Sequence, residues 1–271
     1  MNKNDIIIKL LVKEVKNNKE LYKSFDFSNK LQKYDIKLYL TDILYVLKTG
    51  VSWRDLRSNI CWNSIYKVYI KLNKHKIFEY SFKELLKKYL KKLYKNKLKY
   101  ISTDTTFIPN KKGHDKKGYN KFYNKKNGTK ISMHTDLNGI PLNIKCYKGN
   151  MNDSKILCDH LKDGIIVNHD HLLKDYNSYF LGDKGYDTKN VRSKLKEFKL
   201  KILIDQNKRN IKDPEKLIKF NKIEKGIYKK RLVIERTFNK LKYNRKLCLR
   251  YENKIENFIG FIYLGMLKLF H

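Results

Sequence analysis

The chain is short of acid, short of proline and without a long uninterrupted apolar run, and each shortage excludes something. Its 271 residues hold 27 Asp+Glu against 62 Lys+Arg, a formal net charge of +35 at pH 7. With so little acid the positive charge stays uncompensated, which excludes cationic partners and calls for a polyanion, most simply DNA or RNA. The positive residues run along the whole chain, so no tail alone carries the field. Heavy use of Lys, Asn, Ile and Tyr also fits AT-rich coding DNA as a source of the Lys excess, but the electrostatic consequence is the same. Only 3 prolines and no Ser-rich stretch or internal repeat mark a linker. Cys61, Cys146, Cys158 and Cys248 show neither Cys-x-x-Cys spacing nor an accompanying His cluster, which argues against a zinc site and for reduced core thiols. The apolar start Ile6-Ile7-Ile8 is cut by Lys9, too short and too charged for a signal peptide, and no run reaches membrane-span length. An intracellular protein with no membrane partner is expected.

What is present divides by periodicity. Residues 1–98 read as a helical region, with helix-compatible apolar spacing over 6–15, 38–47 and 62–72. Leu86, Tyr89, Leu90, Leu93 and Tyr94 then form an amphipathic stripe. A turn near Thr49-Gly50 makes 38–72 a weak candidate for a helix-turn-helix-like unit. From about Lys99 the pattern changes. Residues 100–108 are β-branched and aromatic and read as a strand; 129–135 and 140–147 read as a hairpin around Asn138-Gly139. A helix over 153–161, a short strand 178–181, a helix over 190–198 and a strand 200–204 follow. A polar loop over 205–226, the helix carrying the segment described next, and an apolar helix over 255–270 complete the chain. The order predicts an α/β fold, a sheet with helices on its faces, over 99–271.

The segment Tyr228 to Lys242 is the most informative. On an uninterrupted α-helix, Tyr228, Arg231, Glu235 and Lys242 fall at roughly 0°, −60°, −20° and −40°, one narrow stripe. Ile227, Ile234, Phe238 and Leu241 form an apolar band beside it. Burying that band leaves a carboxylate, two cations and a phenol along the rim of a groove. Asp104 lies within its strand and Asp183 ends another, so adjacent strands can set them side by side with Glu235 over them. Three such carboxylates repel unless a cation lies between them, and oxygen-only ligands suit Mg²⁺ or Mn²⁺. Two such ions, about 3.5–4 Å apart, clamp an in-line phosphoryl transfer. Spacing alone leaves other readings open. An Asp at a strand end commonly caps a turn, Glu235 can pair with a Lys of its own helix, and Asp187 and Asp205 are rival acids.

Tyr228-x₂-Arg231-x₃-Glu235-x₆-Lys242 resembles the signature of the DDE transposases of bacterial insertion sequences, in the family-five group and its sister family four. Ser102-Thr103-Asp104-Thr105-Thr106 is similar to its first-Asp strand, and Leu181-Gly182-Asp183-Lys184-Gly185-Tyr186-Asp187 to its second-Asp segment. Gly139-Ile140-Pro141-Leu142 with Gly149-Asn150-Met151-Asn152-Asp153 is similar to the hairpin and the turn after it, and Thr49-Gly50-Val51-Ser52-Trp53-Arg54-Asp55-Leu56 to the N-terminal helical region. Arg57 stands where relatives often have Pro. The resemblance spans roughly 35–270 and implies a ribonuclease-H-like mixed sheet with flanking helices. It implies Asp104, Asp183 and Glu235 as catalytic metal ligands, favouring Asp183 over Asp187, and two Mg²⁺ or Mn²⁺ ions. It implies phosphate contacts from Tyr228, Arg231 and Lys242 to double-stranded DNA, at transposon ends and target.

The expected activity is hydrolysis at transposon ends followed by 3′-hydroxyl strand transfer. Residues 1–98 would serve DNA-end binding, dimerisation or both, in a homodimer, because a transposon has two ends. The short interval from Asp183 to Glu235 leaves no room for the extra β domain some relatives insert there. With Trp53 and Trp62 the only tryptophans, stacking on an unpaired base in the catalytic half would fall to Tyr or Phe. Two other activities fit the same residues: a nuclease that cuts without joining, and a captured DNA-binding protein without catalysis.

Overall fold

A computed structural model describes residues 2–25, 35–93, 98–123, 125–167, 169, 173, 178–207 and 220–270. Capping chemistry bounds the early helices. Asn2 and Asp5 form a capping box that opens α1 (Lys3–Asn17). After α2 (Lys19–Phe25), Asp35 accepts from the Lys37 amide to start α3 (Ile36–Thr49), and Gly50 at φ +71° ends it. α4 (Trp62–Lys74) and α5 (Ile77–Leu93) follow. Residues 50–61, with a 3₁₀ turn at Trp53–Asp55, separate α3 from α4. That connection is much longer than the three or four residues of a helix-turn-helix, so the structure corrects that reading.

The described chain divides into two units: Met1–Lys88 with Lys112–Asp115 and Lys240–His271, and Tyr89–Lys111 with Lys116–Asn239. The division differs from a simple break at 98/99 because the last helix, α10 (Ile255–Leu267), groups with the N-terminal helices. α10 is apolar on nearly every side, with Phe258, Phe261, Ile262 and Leu264 fully buried, so it needs helices around it. Phe261 stacks on Tyr69 of α4 at 4.4 Å, and the Tyr69 hydroxyl donates to the Asn257 carbonyl. The same unit holds a buried charge. Arg250, 0% exposed, donates to the Asp115 carboxylate, the Asp115 carbonyl (2.7 Å) and the Glu252 carbonyl (3.1 Å). Gly113 is required beside it, since a Cβ there would lie 2.6 Å from the guanidinium carbon.

The second unit is built on a six-stranded sheet. β1 (Tyr100–Pro109), β3 (Lys126–Thr135) and β4 (Pro141–Lys148) run antiparallel, with β2 (Gly118–Asn120) extending the β3 edge. β5 (Tyr179–Gly182) pairs parallel to β1, and β6 (Lys201–Ile204) parallel to β5. Three antiparallel strands continued by two parallel ones give the mixed sheet expected of a ribonuclease-H-like core. α6 (Asp153–His160) and α7 (Lys189–Glu197) supply flanking helices. The loop expected over 205–226 ends sooner, because Asn221 and Glu224 form a capping box that starts α8 at Lys222; residues 208–219 of it, like Tyr94 of the α5 stripe, lie outside the described residues.

Cross-strand partners share a face. Thr103, His134, Thr105 and Ser132 therefore point to the α6 side of the sheet, and Asp104 and Met133 to the other. On the α6 side His134 stacks on His160 at 4.2 Å, and Ser132 Oγ bonds His160 Nδ1 at 2.8 Å. Burial holds both imidazoles neutral, His160 down to about 3. A base whose folded pKa lies below its unfolded value takes up its proton only on unfolding, so stability falls as pH falls from about 6.5 toward 3. Denaturant melts at pH 7.5 and pH 5 should show a loss of stability that is smaller in His160→Gln. An equal loss in the variant contradicts a neutral buried His160.

Candidate active site

Strand register creates the site. Ser102 pairs with Leu181 across the parallel β1–β5 ladder. Asp104 and Asp183 each stand two residues beyond this last pair, and the Asp183 charge acts on Asp104. β5 pairing stops at Gly182, so Asp183 leaves the sheet as the cap of a 3₁₀ turn (Lys184–Tyr186), accepting from the Lys184 amide at 2.8 Å. That turn returns Tyr186, fully buried, so that its hydroxyl donates to Asp104 Oδ1 at 3.3 Å; the Thr105 amide donates to the same oxygen at 2.8 Å. Burial pushes Asp104 up to about 6, and Asp183 adds to the rise; the Thr105 amide, the Arg231 charge and the Tyr186 hydroxyl oppose it. Asp104 is thus a carboxylate short of positive charge, which suits a cation beside it.

The third predicted acid arrives on a helix that is not one helix. α8 (Lys222–Lys229) passes through a 3₁₀ turn (Lys230–Leu232) into α9 (Val233–Lys242). The tighter turn changes the angle per residue, so a uniform 100° projection does not hold across the segment. The first three signature residues still meet. Arg231 lies 5.8 Å from the Tyr228 ring, donates to Glu235 Oε1 at 3.1 Å, and acts on Asp104 through its charge. Arg231 is 17% exposed and Glu235 48%. Tyr228 packs on the cluster of Leu181, Leu203 and Ile227; burial raises its phenol and Arg231 opposes the rise. Lys242 ends α9 and belongs to the other unit, where burial lowers its ammonium.

α9 is pinned from its buried side. Val233, Ile234, Thr237 and Phe238 are buried, and Thr237 Oγ1 donates to the Gly139 carbonyl at 3.2 Å. Gly139 has φ +78°, and a Cβ there would lie 2.6 Å from Thr237 Oγ1, so the expected hairpin turn also serves as the seat of the helix. The rival acids have other work. Asp187 pairs with Arg192 at 2.7 Å and accepts from the Asn207 amide at 2.9 Å, and Asp205 accepts from the Gln206 amide.

Sequence reading gave no role to Tyr186 or Asp153. Tyr186 follows Asp183 at the one-turn spacing of a 3₁₀ segment, a signal present in the sequence. Asp153 accepts from Thr105 (2.7 Å) and Lys130 (2.8 Å), tying β1 and β3 to α6 behind the aspartates. Among the described residues, no three His, Cys, Asp or Glu side chains converge as metal ligands would. Asp104 and Asp183 offer oxygen-only donors, and Asp104 is under-compensated, which fits a hard divalent cation; Glu235 is held by Arg231.

Comparison with known proteins bears on the whole arrangement. The family described as "Transposase DDE domain" matches residues 95–267. The piggyBac transposase synaptic complex with hairpin DNA is similar in structure, with a TM-score of 0.56 at 13% identity, over 97% of this chain and 71% of that one. A Mos1 transposase paired-end complex with left transposon end gives a TM-score of 0.27 at 10% identity, over 86% of this chain and 87% of that one. No curated protein matches. The described helices include none long and apolar enough to cross a membrane.

Tyr186→Phe keeps the ring and removes only the hydroxyl, so the fold should persist while metal-dependent cleavage falls about 10-fold or more. Full activity with unchanged metal dependence would remove Tyr186 from the support of Asp104.

Proposed function

The chain belongs to the transposase DDE domain family, and on that premise we propose how its own residues carry out DNA transposition. The observation that carries the reading is the β1–β5 register, Ser102 against Leu181 two residues before the aspartates, together with the charges of Asp183 and Arg231 acting on Asp104 and the Arg231–Glu235 pair. The reaction is hydrolysis of a phosphodiester at a transposon end, which frees a 3′-hydroxyl, and then attack of that hydroxyl on a target phosphodiester.

Asp104, Asp183 and Glu235 would hold two Mg²⁺ or Mn²⁺ ions, and Glu235 is the one now paired with Arg231. Such ions supply activation of the attacking oxygen and stabilisation of the leaving one. Tyr186 and the Thr105 amide hold the Asp104 carboxylate in place. Arg231, released from Glu235, and Tyr228 take phosphates of the bound strand, and Lys242 also contacts a DNA phosphate. These contacts position the DNA and carry no sequence information.

The partner is double-stranded DNA, at the transposon ends and at the target. The net charge of +35 supports a polyanion, and the similar piggyBac structure is a complex with hairpin DNA. The helical region over 1–98 reads the ends and helps pair two protomers into a homodimer, with catalysis assigned to 99–271. The Tyr-Arg-Glu-Lys spacing favours the family-five group of insertion sequences, and the protein works inside the cell. Intact acids at all three positions favour this reading over a captured binding protein, and matching inverted repeats beside the gene would favour it over a nuclease.

The test is cleavage of a plasmid carrying the gene's own flanking DNA, with Mg²⁺ or Mn²⁺. Wild type should cut at defined flanking positions and join the ends to target. Asp104→Asn, Asp183→Asn and Glu235→Gln should each bind DNA but cut at least about 10³-fold more slowly, the scale of losing a catalytic group. Substantial metal-dependent cutting by any of the three removes it from the ligand set. Arg231→Ala should also flatten the slope of log K against log salt by about one unit per lost phosphate contact.

A further inference from the structure

The helical unit contains a cleft of about 720 Å³ that the proposed chemistry does not use. Both of the protein's 2 tryptophans line it. Trp53 is fixed edge-on and tilted against Tyr66 (5.4 Å), Tyr69 (5.5 Å) and Phe261 (6.0 Å), which makes it a rigid wall. Trp62 opens α4 and is half-buried, with the Arg54 guanidinium 5.8 Å from its ring centre. Tyr251 lines the cleft while 47% exposed. Lys246 and Glu252 also line it and pair at 2.7 Å, with side chains only 6% and 7% exposed. A buried ion pair contributes little net stability over an apolar pair of the same size, but beside a cavity it offers a donor and an acceptor in fixed positions. Arg54 and Lys112 are exposed cations of the same lining.

Flat aromatic walls, a paired donor and acceptor, and cations at the edge are complementary to one chemical class: a nucleobase with its phosphate. The size suits a single nucleotide and not a duplex, which is about 20 Å wide, so the base must be unpaired. We propose that this cleft receives one unpaired nucleotide of the bound DNA, its base against Trp53 and Trp62, its edge on Glu252 and Lys246, and its phosphate on Arg54 and Lys112. The site differs from the Tyr or Phe stacking expected of the catalytic half, because the only tryptophans lie in the helical unit. The proposal rests on DNA being the partner.

The tryptophans report occupancy directly, since a stacked base quenches indole emission. The probes are a paired duplex, the same duplex with one extrahelical nucleotide, the same duplex with an abasic residue at that point, and the four free deoxynucleoside monophosphates. Emission reads the cleft, and a gel-shift titration reads affinity. The extrahelical base should quench emission and bind about 5- to 100-fold tighter than the abasic duplex, the range of one base stacked on an aromatic ring. Trp62→Ala should lose that gain and Trp62→Phe restore most of it, at equal helical content by circular dichroism. Equal affinity and equal emission for the base-containing and abasic duplexes overturn the proposal. Quenching by the free monophosphates with no difference between those duplexes also overturns it, in favour of a free-nucleotide site. Binding of the paired duplex is a separate readout, and its failure counts against the transposase reading itself.

Discussion

The rest of the structure depends on a short parallel ladder, Tyr100 to Ser102 against Tyr179 to Leu181. A slip of one residue would turn one aspartate to the opposite face of the sheet. The register is secured by burial: Ile101, Ser102, Phe180 and Leu181 are at or near zero exposure, so neither strand can shift without exposing apolar surface. The cost appears at Asp104, whose carboxyl is held up at about 6 largely by its burial. Packing thus holds Asp104 near a second acid where water stabilises it poorly, a common feature of sites that bind cations.

Glu235 is held differently, and the difference has a functional sense. The aspartates are fixed by strands, whereas Glu235 reaches the site from a helix whose seat is the Gly139 turn and whose inner face is Val233, Ile234, Thr237 and Phe238. Its partner in this state is Arg231, four residues before it. On the proposed reading, DNA phosphate competes for Arg231 and releases Glu235, so substrate binding would assist completion of the ligand set. The 3₁₀ turn at Lys230–Leu232 sets the direction of Arg231 relative to Tyr228.

Much of this was legible in the sequence where local chemistry decides the outcome. β-branched and aromatic residues gave β1, and Asn138-Gly139 gave the turn before β4. The aspartates could be placed on strands, and their adjacency was a reasonable inference from an α/β order. Other features depend on contacts far apart in sequence. α10 belongs with the N-terminal helices because its apolar surface needs burial on nearly all sides, and periodicity does not say by what. β2 is three residues long and leaves no periodic trace. The break between α8 and α9 carries no proline or other marker, and Gly226 lies before it inside α8. Tyr186 lay within the recognised second-Asp segment, but its role follows from a buried turn that spacing alone does not specify.

The most direct test of the central claim is a crystal structure of the protein with Mn²⁺ and a transposon-end duplex, located by anomalous scattering. The account predicts Mn²⁺ density between the Asp104 and Asp183 carboxylates, with Glu235 turned from Arg231 toward the metal and Arg231 on a phosphate. Mn²⁺ bound elsewhere at saturating concentration, with the two aspartates unligated, would contradict it.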